Sequence, residues 1–233
     1  MTKERKQQGA RSLLSSTAGH IGTNDMSKTT IAVRLFTSES VCAGHPDKIC
    51  DAISDAIVDA ALKQDPHSHT AIETVAGANQ IYLFGEIKTK AKIDYEQIVR
   101  QTVERLGYTR PEWGFSQESI FSNDIHQQSP EIALGADQDG AGDQGMMFGY
   151  ACKETPELMP LPIALAHALA RRIDQARETG TLKWLRPDGK AQVTVRYEND
   201  KPVAIEKLVA AVAHDEKLSH SQVREELIAE VIK

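Results

Sequence analysis

Five consecutive residues, Gly44-His45-Pro46-Asp47-Lys48, combine the parts needed to hold a phosphate. They precede a helical pattern. A helix N-terminus offers free N–H groups and a partial positive charge, both of which attract phosphate. His45 can donate to a phosphate oxygen, and Asp47 offers a hard oxygen to a magnesium ion riding on phosphates. The same residues also read as an ordinary helix start, with Asp47 merely complementing the dipole. Arg186-Pro187-Asp188-Gly189-Lys190 is the second cluster. Gly189 lets the backbone approach a ligand closely. Lys190 can neutralise a phosphate, and Asp188 can orient a ligand or accept from a ribose or base. The plain alternative is a Pro-Asp-Gly turn leading into a strand.

Gly140-Ala141-Gly142-Asp143-Gln144-Gly145 sets three glycines around one carboxylate. It is neither a P-loop nor a Rossmann fingerprint. It reads equally as backbone near a ligand, with Asp143 aimed at it, and as a flexible connector. Glu73 and Glu86 fall in strand-like runs, where a charge usually lies on the wet face. A strand-end Glu can instead bind an amino group or a monovalent cation. Gln128-Ser129-Pro130 follows a strand and opens a loop, where binding residues often sit. The chain has no G-x-S-x-G, no H-E-x-x-H and no paired C-x-x-C, so it does not advertise nucleophilic hydrolysis or zinc chemistry. Cys42, Cys50 and Cys152 fit no zinc spacing, and Cys42 and Cys50 read as reduced packing residues.

The elements that must position these groups follow from periodicity. Thr30–Phe36 is a short β-rich run. Pro46–Gln64 reads as a helix, with Ile49, Ala52, Ile53, Ala56, Ile57, Ala60 and Ala61 at helical spacing, Asp51, Asp55 and Asp59 on the opposite, solvated face, and Pro46 at the first helical position. Thr70–Val75 and Gln80–Thr89 read as paired strands. Asp94 with Gln97 opens a helix that ends before Gly107. Ser119–Gln127 is another strand. Pro162–Glu178 is a helix with Gly180 as its stop. Lys190–Tyr197 and Pro202–His214 form a hairpin around Glu198-Asn199-Asp200. Ser219 with Gln222 caps a last helix. It runs to Lys233 without a Gly or Pro stop, which leads to the expectation of a sequence cut short.

With 233 residues, 40% hydrophobic and 26% charged, the composition is that of a soluble globular protein. The formal net charge of -6 argues against a general nucleic-acid binder, which needs a basic stripe. No apolar run approaches membrane-helix length, and the cysteines, read as reduced, lead to the expectation of a cytoplasmic protein. Residues 1–29 are poor in apolar residues, basic, and lack an apolar signal region, and are read as a disordered leader.

Three motifs in order now carry a resemblance. Thr37-Ser38-Glu39-Ser40-Val41 followed by Gly44-His45-Pro46-Asp47-Lys48-Ile49 resembles the opening of S-adenosylmethionine synthetases (methionine adenosyltransferases). Gly140–Gly145 with Met146-Met147-Phe148-Gly149-Tyr150-Ala151 is similar to the family's GAGDQG signature. Gly180-Thr181-Leu182, Trp184-Leu185-Arg186-Pro187-Asp188, Lys190 and Gln192-Val193-Thr194 give the third match. The likeness runs from about Thr30 to the last residue.

The resemblance implies an α+β fold of three similar units about a pseudo-threefold axis, with helices packed on one face of each sheet. Residues 30–42 and 155–233 would form one N-terminal-type unit nearly whole. Residues 43–117 would be part of a central unit, and 118–154 part of a third, with the mobile loop and GAGDQG. It implies synthesis of S-adenosylmethionine from ATP and L-methionine, with triphosphate cleaved to pyrophosphate and phosphate. His45, Asp188, Gly189 and Lys190 would contact ATP, and Glu86, Gln128 and Asp143 methionine. Asp47 would ligate magnesium, two ions per site in the complete enzyme, and Glu73 potassium. His45, Lys190 and Asp143 would carry the catalysis, in a homodimer or dimer of dimers with shared sites. The family's Gly-rich G-G-G-A-F-S-G-K-D loop does not occur in the chain. Two other classes remain open: a different nucleotide-dependent phosphotransfer or phosphohydrolase enzyme, and a non-catalytic nucleotide-binding fragment or partner of a full-length synthetase.

Overall fold

The computed structural model describes residues 32–128 and 145–233. The leader at 1–29, Asp143 and the mobile loop expected after Gln128 lie outside these residues. The architecture is α+β: two three-stranded sheets, each carrying helices on one face.

The first sheet has the order β1-β5-β6 and is antiparallel throughout. β1 spans Val33–Val41, β5 Leu185–Glu198 and β6 Lys201–His214. Burial along β5 alternates strictly, so Val193, Val195 and Tyr197 face inward while Lys190 and Gln192 face outward. The inward row packs on helix α3, Leu161–Glu178, through Ala166, Ala170 and Ile173. Helix α4, His220–Leu227, begins with the capping box expected of Ser219 and Gln222 and ends in a wider π turn, Ile228–Ile232. Val223, Leu227 and Val231 complete that core.

The second sheet has the order β2-β3-β4. β2 (His69–Gly77) and β3 (Gln80–Lys88) form a hairpin, and β4 (Ile120–Gln127) joins β3 in parallel. A parallel neighbour needs a crossover, and helix α2, Tyr95–Arg105, supplies it. Helix α1 spans Pro46–Gln64, as its apolar spacing requires. Ile49, Ile53 and Ile57 of α1 meet Ile81 and Leu83 of β3 and Val99 and Val103 of α2 in one buried cluster. β4 pairs with β3 from Ile120 onward.

Two strands differ from expectation. β1 runs past Phe36 to Val41, because its whole length from Val33 pairs with β5, and Thr30 and Ile31 lie outside the described residues. Strand β5 starts at Leu185, so the Pro-Asp-Gly sequence is not a free turn before it. Tertiary pairing overrides turn chemistry there: Val41 opposes Lys190, and Cys42 N–H donates to the Gly189 carbonyl at 2.8 Å. The local cost shows as a register irregularity between Leu185 and Gly189 against β6.

Candidate functional site

The link from β1 to α1 is three residues long, Cys42-Ala43-Gly44, before His45 caps the helix. It lies against the start of β5. Cys42 is anchored to Gly189 by the backbone hydrogen bond above. Gly44 has no side chain, which allows direct packing on Pro187: a Cβ there would overlap the Pro187 Cβ and sit 2.5 Å from its carbonyl oxygen. These contacts bring the two phosphate-type clusters of the sequence, Gly44–Lys48 and Arg186–Lys190, to one place.

The side chains at this junction differ in character. His45 has an extended backbone, and its Nδ1 accepts from the Asp47 N–H at 3.3 Å, a true N-cap. Its side chain is 12% exposed, whereas that of Asp47 is 85% exposed. Asp188 has one carboxylate oxygen, Oδ1, buried with no hydrogen-bond partner. Lys190 stands on the outward face of β5, with Nζ 3.8 Å from Glu39 Oε1 on β1. Glu39 lies in the first motif, and its pairing with Lys190 is not evident from the motif itself. The signal was available in the period of two: Glu39 pairs with Gln192, so it falls diagonally beside Lys190 on the same face.

Behind the junction lies a buried ionisable layer. The Cys42 thiol is pushed up to about 12, first by burial and then by the charges of Asp174 and Asp188, with Arg177 opposing. Tyr108 is likewise raised, mainly by burial. The carboxyl of Asp174 is raised by burial, against a hydrogen bond from Ala43 N–H and the charges of Arg177 and Lys48. These groups hold backbone: the Cys42 thiol donates to the Ala170 carbonyl, Asp174 accepts from Ala43 N–H and Tyr108 donates to the Gly44 carbonyl.

Glu86 and Gln128 sit on the other sheet. Glu86 is opposite His126, and Gln128 N–H donates to the Ile87 carbonyl at 3.0 Å just past the end of β4. Gln128 Oε1 is buried without a partner. Gly85, at φ 127, precedes Glu86; a Cβ there would run into the Ala71 carbonyl oxygen and lie 3.2 Å from Ile72 Cα. Glu73 is exposed on the outer face of β2, opposite Phe84. The structure therefore sets Gly44 against Pro187 and Cys42 against Gly189, so that the segments carrying His45, Asp47, Asp188, Gly189 and Lys190 adjoin, while Glu86 lies opposite His126, two residues before Gln128, on the second sheet, which also carries Glu73. Among the described residues no group of three or more His, Cys, Asp or Glu side chains gathers to hold a metal ion. Asp47 suits a magnesium ion that keeps its waters and takes one carboxylate plus phosphate oxygens, which needs no protein cage. No helix among the described residues is long and apolar enough to cross a membrane.

Comparisons with known proteins meet this geometry. Residues 33–130 match the profile of the S-adenosylmethionine synthetase N-terminal domain, and residues 138–233 that of its central domain. The S-adenosylmethionine synthases of two strains of Thermus thermophilus are each 48% identical to this chain over 218 residues. The match covers 87% of this chain and 55% of each relative, so the chain spans about half the length of the curated relatives it matches. The two profiles leave out only residues 1–32 and 131–137, follow one another in the family's order and meet a fold with two sheet-and-helix layers; the chain belongs to the S-adenosylmethionine synthetase family.

Proposed function

We propose that the chain contributes to the synthesis of S-adenosylmethionine from ATP and L-methionine, with cleavage of the triphosphate to pyrophosphate and phosphate. The observation that carries this reading is the junction of Cys42 with Gly189 and Gly44 with Pro187, which joins a capped helix start to a lysine-bearing strand. Such a pairing suits a polyphosphate. His45, Asp188, Gly189 and Lys190 are assigned to ATP, and Glu86, Gln128 and Asp143 to methionine.

The thioether sulfur of methionine is a free nucleophile without a proton, so attack on C5′ of ATP needs no general base. The difficulty is the departing triphosphate, which gathers negative charge. Catalysis then comes from alignment and from positive charge placed beforehand. His45 and Lys190 supply donors of that kind, and Asp143 serves at the methionine and adenosine end. Glu86 pairs with the methionine ammonium and fixes the sulfur's approach. Asp47 holds magnesium, which neutralises phosphate charge when bound. Glu73 offers one carboxylate to a potassium ion. A homodimer or dimer of dimers with shared sites is proposed with it. In support, the uncovered face of the second sheet exposes Val75, Tyr82, Phe84 and Ile120, more apolar surface in one place than a monomer usually leaves wet.

The test is calorimetric titration of the chain with ATP and magnesium, with and without methionine, followed by chromatography for S-adenosylmethionine. Methionine-dependent binding and product support the synthetase reading. The match to about half of each relative favours one second reading, a nucleotide-binding chain without turnover. ATP binding with no product would select it. Binding of nucleotide with no response to methionine would sink the methionine assignment.

A further inference from the structure

The backbone that carries His45 is gripped from two sides by residues far from it in sequence. Ala43 N–H donates to Asp174 Oδ2 at 2.9 Å, and the Gly44 carbonyl accepts from the Tyr108 hydroxyl at 2.6 Å. Asp174 belongs to α3, on the first sheet, and Tyr108 follows α2, on the second. The link is thereby fixed by both layers at once. The ring of Tyr108 is itself held edge-on against Phe115, with centroids 5.1 Å apart. Asp174 is kept at a cost: its Oδ1 is buried without a partner. A carboxylate so placed is poor for stability by itself, and an apolar residue of similar size would serve packing better. The Ala43 contact is what it provides in return.

His45 then caps α1. Two contacts compete for its Nδ1. The Asp47 N–H lies 3.3 Å away in donor geometry, and Asp47 Oδ2 lies 3.6 Å away, a contact that would require a proton on Nδ1. The second distance is beyond hydrogen-bond reach. One nitrogen cannot both accept the amide hydrogen and carry its own. The amide contact decides, and the hydrogen bond at one ring nitrogen sets the proton on the other.

We propose that Tyr108 and Asp174 are positioning residues: by fixing Ala43 and Gly44 they hold His45 as the N-cap of α1, with Nδ1 engaged and the proton on Nε2, the donor a phosphate oxygen needs. Only the final clause rests on the phosphate reading given above. The ring's state is tested without ligand.

The experiment uses the whole chain, labelled with nitrogen-15 at histidine, at about pH 8, where an ordinary imidazole is neutral. Long-range proton–nitrogen correlation spectra report the tautomer, and His45→Gln identifies the His45 signals by their loss. An Nε2-protonated ring is expected, its Nδ1 resonance displaced by the hydrogen bond. Tyr108→Phe removes one grip and keeps the contact with Phe115. Asp174→Leu removes the other, while Asp174→Asn keeps an oxygen for Ala43 N–H. Tyr108→Phe and Asp174→Leu should release Nδ1 and move the ring toward the averaged signals of free histidine. Asp174→Asn should retain the native signature, a rescue that mere loss of packing would not produce. A native ring protonated on Nδ1 overturns the proposal, as does an unchanged His45 spectrum in Tyr108→Phe, which decides the matter should Asp174→Leu fail to fold. Addition of ATP with magnesium separates the two ideas. Movement of the Nε2 signal supports the phosphate contact, and a native Nε2–H ring that ATP leaves unmoved overturns that contact while the positioning stands.

Discussion

Gly44 and Pro187 are in contact without room for a methyl group: a Cβ on Gly44 would overlap the Pro187 Cβ and lie 2.5 Å from the Pro187 carbonyl oxygen. Both obstacles are stiff, one a ring and the other a sheet backbone, so neither side can yield by a rotamer change. The close approach allows His45 and Lys190 to belong to one site.

Gly44→Ala should therefore force β1's end away from β5. Overpacking of this kind costs about 1–3 kcal/mol. Gly77 is the control, because a Cβ there meets nothing within 4 Å. Denaturant titration should show Gly44→Ala destabilised by that amount and Gly77→Ala shifted by less than about 1 kcal/mol. Equal midpoints for the two variants would show that the junction is looser than described.

Asp47 offers a sharper separation of folding from function. Its side chain is 85% exposed, and its contact with His45 Nδ1 is 3.6 Å long. Asp47→Asn keeps the shape and removes the charge, so melting should move by no more than about 0.5 kcal/mol. ATP binding in magnesium should weaken, while binding of ATP in a chelator should be unchanged. Equal loss in both conditions would remove the metal role from Asp47.

Much of this was legible before any coordinates. The helix Pro46–Gln64 follows from seven apolar residues at helical spacing and a proline at its start, and the structure places it at those residues. The last helix announces its capping box in Ser219 and Gln222. These signals are local, and local signals survive folding. What the chain did not announce depends on pairing between distant segments. Pro187-Asp188-Gly189 looks like a turn because proline and glycine usually make one. It belongs to the strand because Leu185 and Gly189 pair with His214 and Val212 of β6, and because Cys42 N–H reaches the Gly189 carbonyl from about 150 residues upstream, contacts that no local pattern contains. The pairing of Glu39 with Lys190 is hidden for the same reason: it is set by register, not by sequence distance. The grip of Tyr108 and Asp174 on Ala43 and Gly44 is likewise invisible until the two layers meet.

The thiols give a prediction with a definite sign. Cys42 is fully buried and its pKa is raised from 9.0 to about 12, chiefly by burial. Up to about pH 9 both folded and unfolded chains hold that proton. Between about 9 and about 12 the unfolded chain releases it and the folded chain does not, so the unfolded state binds fewer protons and stability falls as pH rises. For one proton the slope is at most about 1.4 kcal/mol per pH unit. Denaturant midpoints measured across that window should decline more steeply in the native chain than in Cys42→Ala. A thiol reagent near neutral pH should modify Cys42 only after unfolding, because the partly exposed Cys50 and Cys152 are the accessible thiols. Rapid reaction at Cys42 in the folded chain would contradict its burial.

Lys190 carries the largest contrast between a structural and a chemical role. It sits in mid-strand, opposite Val41 on one side and Ala211 on the other, so its backbone is held from both edges. Its ammonium is about half exposed and meets Glu39 at 3.8 Å. An exposed pair at that distance contributes little, typically under about 1 kcal/mol, and it weakens with salt. Lys190→Met should therefore leave the melting temperature nearly unchanged. A lysine facing a polyphosphate has a different weight, since the charge it neutralises is brought to it only by the ligand. ATP affinity should fall at least tenfold, roughly 1.4 kcal/mol. In the full-length relatives that carry this lysine's motif, the rate of S-adenosylmethionine formation should fall at least a hundredfold, about 2.7 kcal/mol. Glu39→Gln serves as the partner control. If Lys190 works only through its pair with Glu39, both variants should show the same small stability change and the same ATP affinity as the native chain. If Lys190 meets the phosphates, Lys190→Met alone should lose nucleotide, with a loss that shrinks as salt is raised. Native-like ATP binding by Lys190→Met at low salt would return the residue to the solvated face of β5 and take the phosphate site with it.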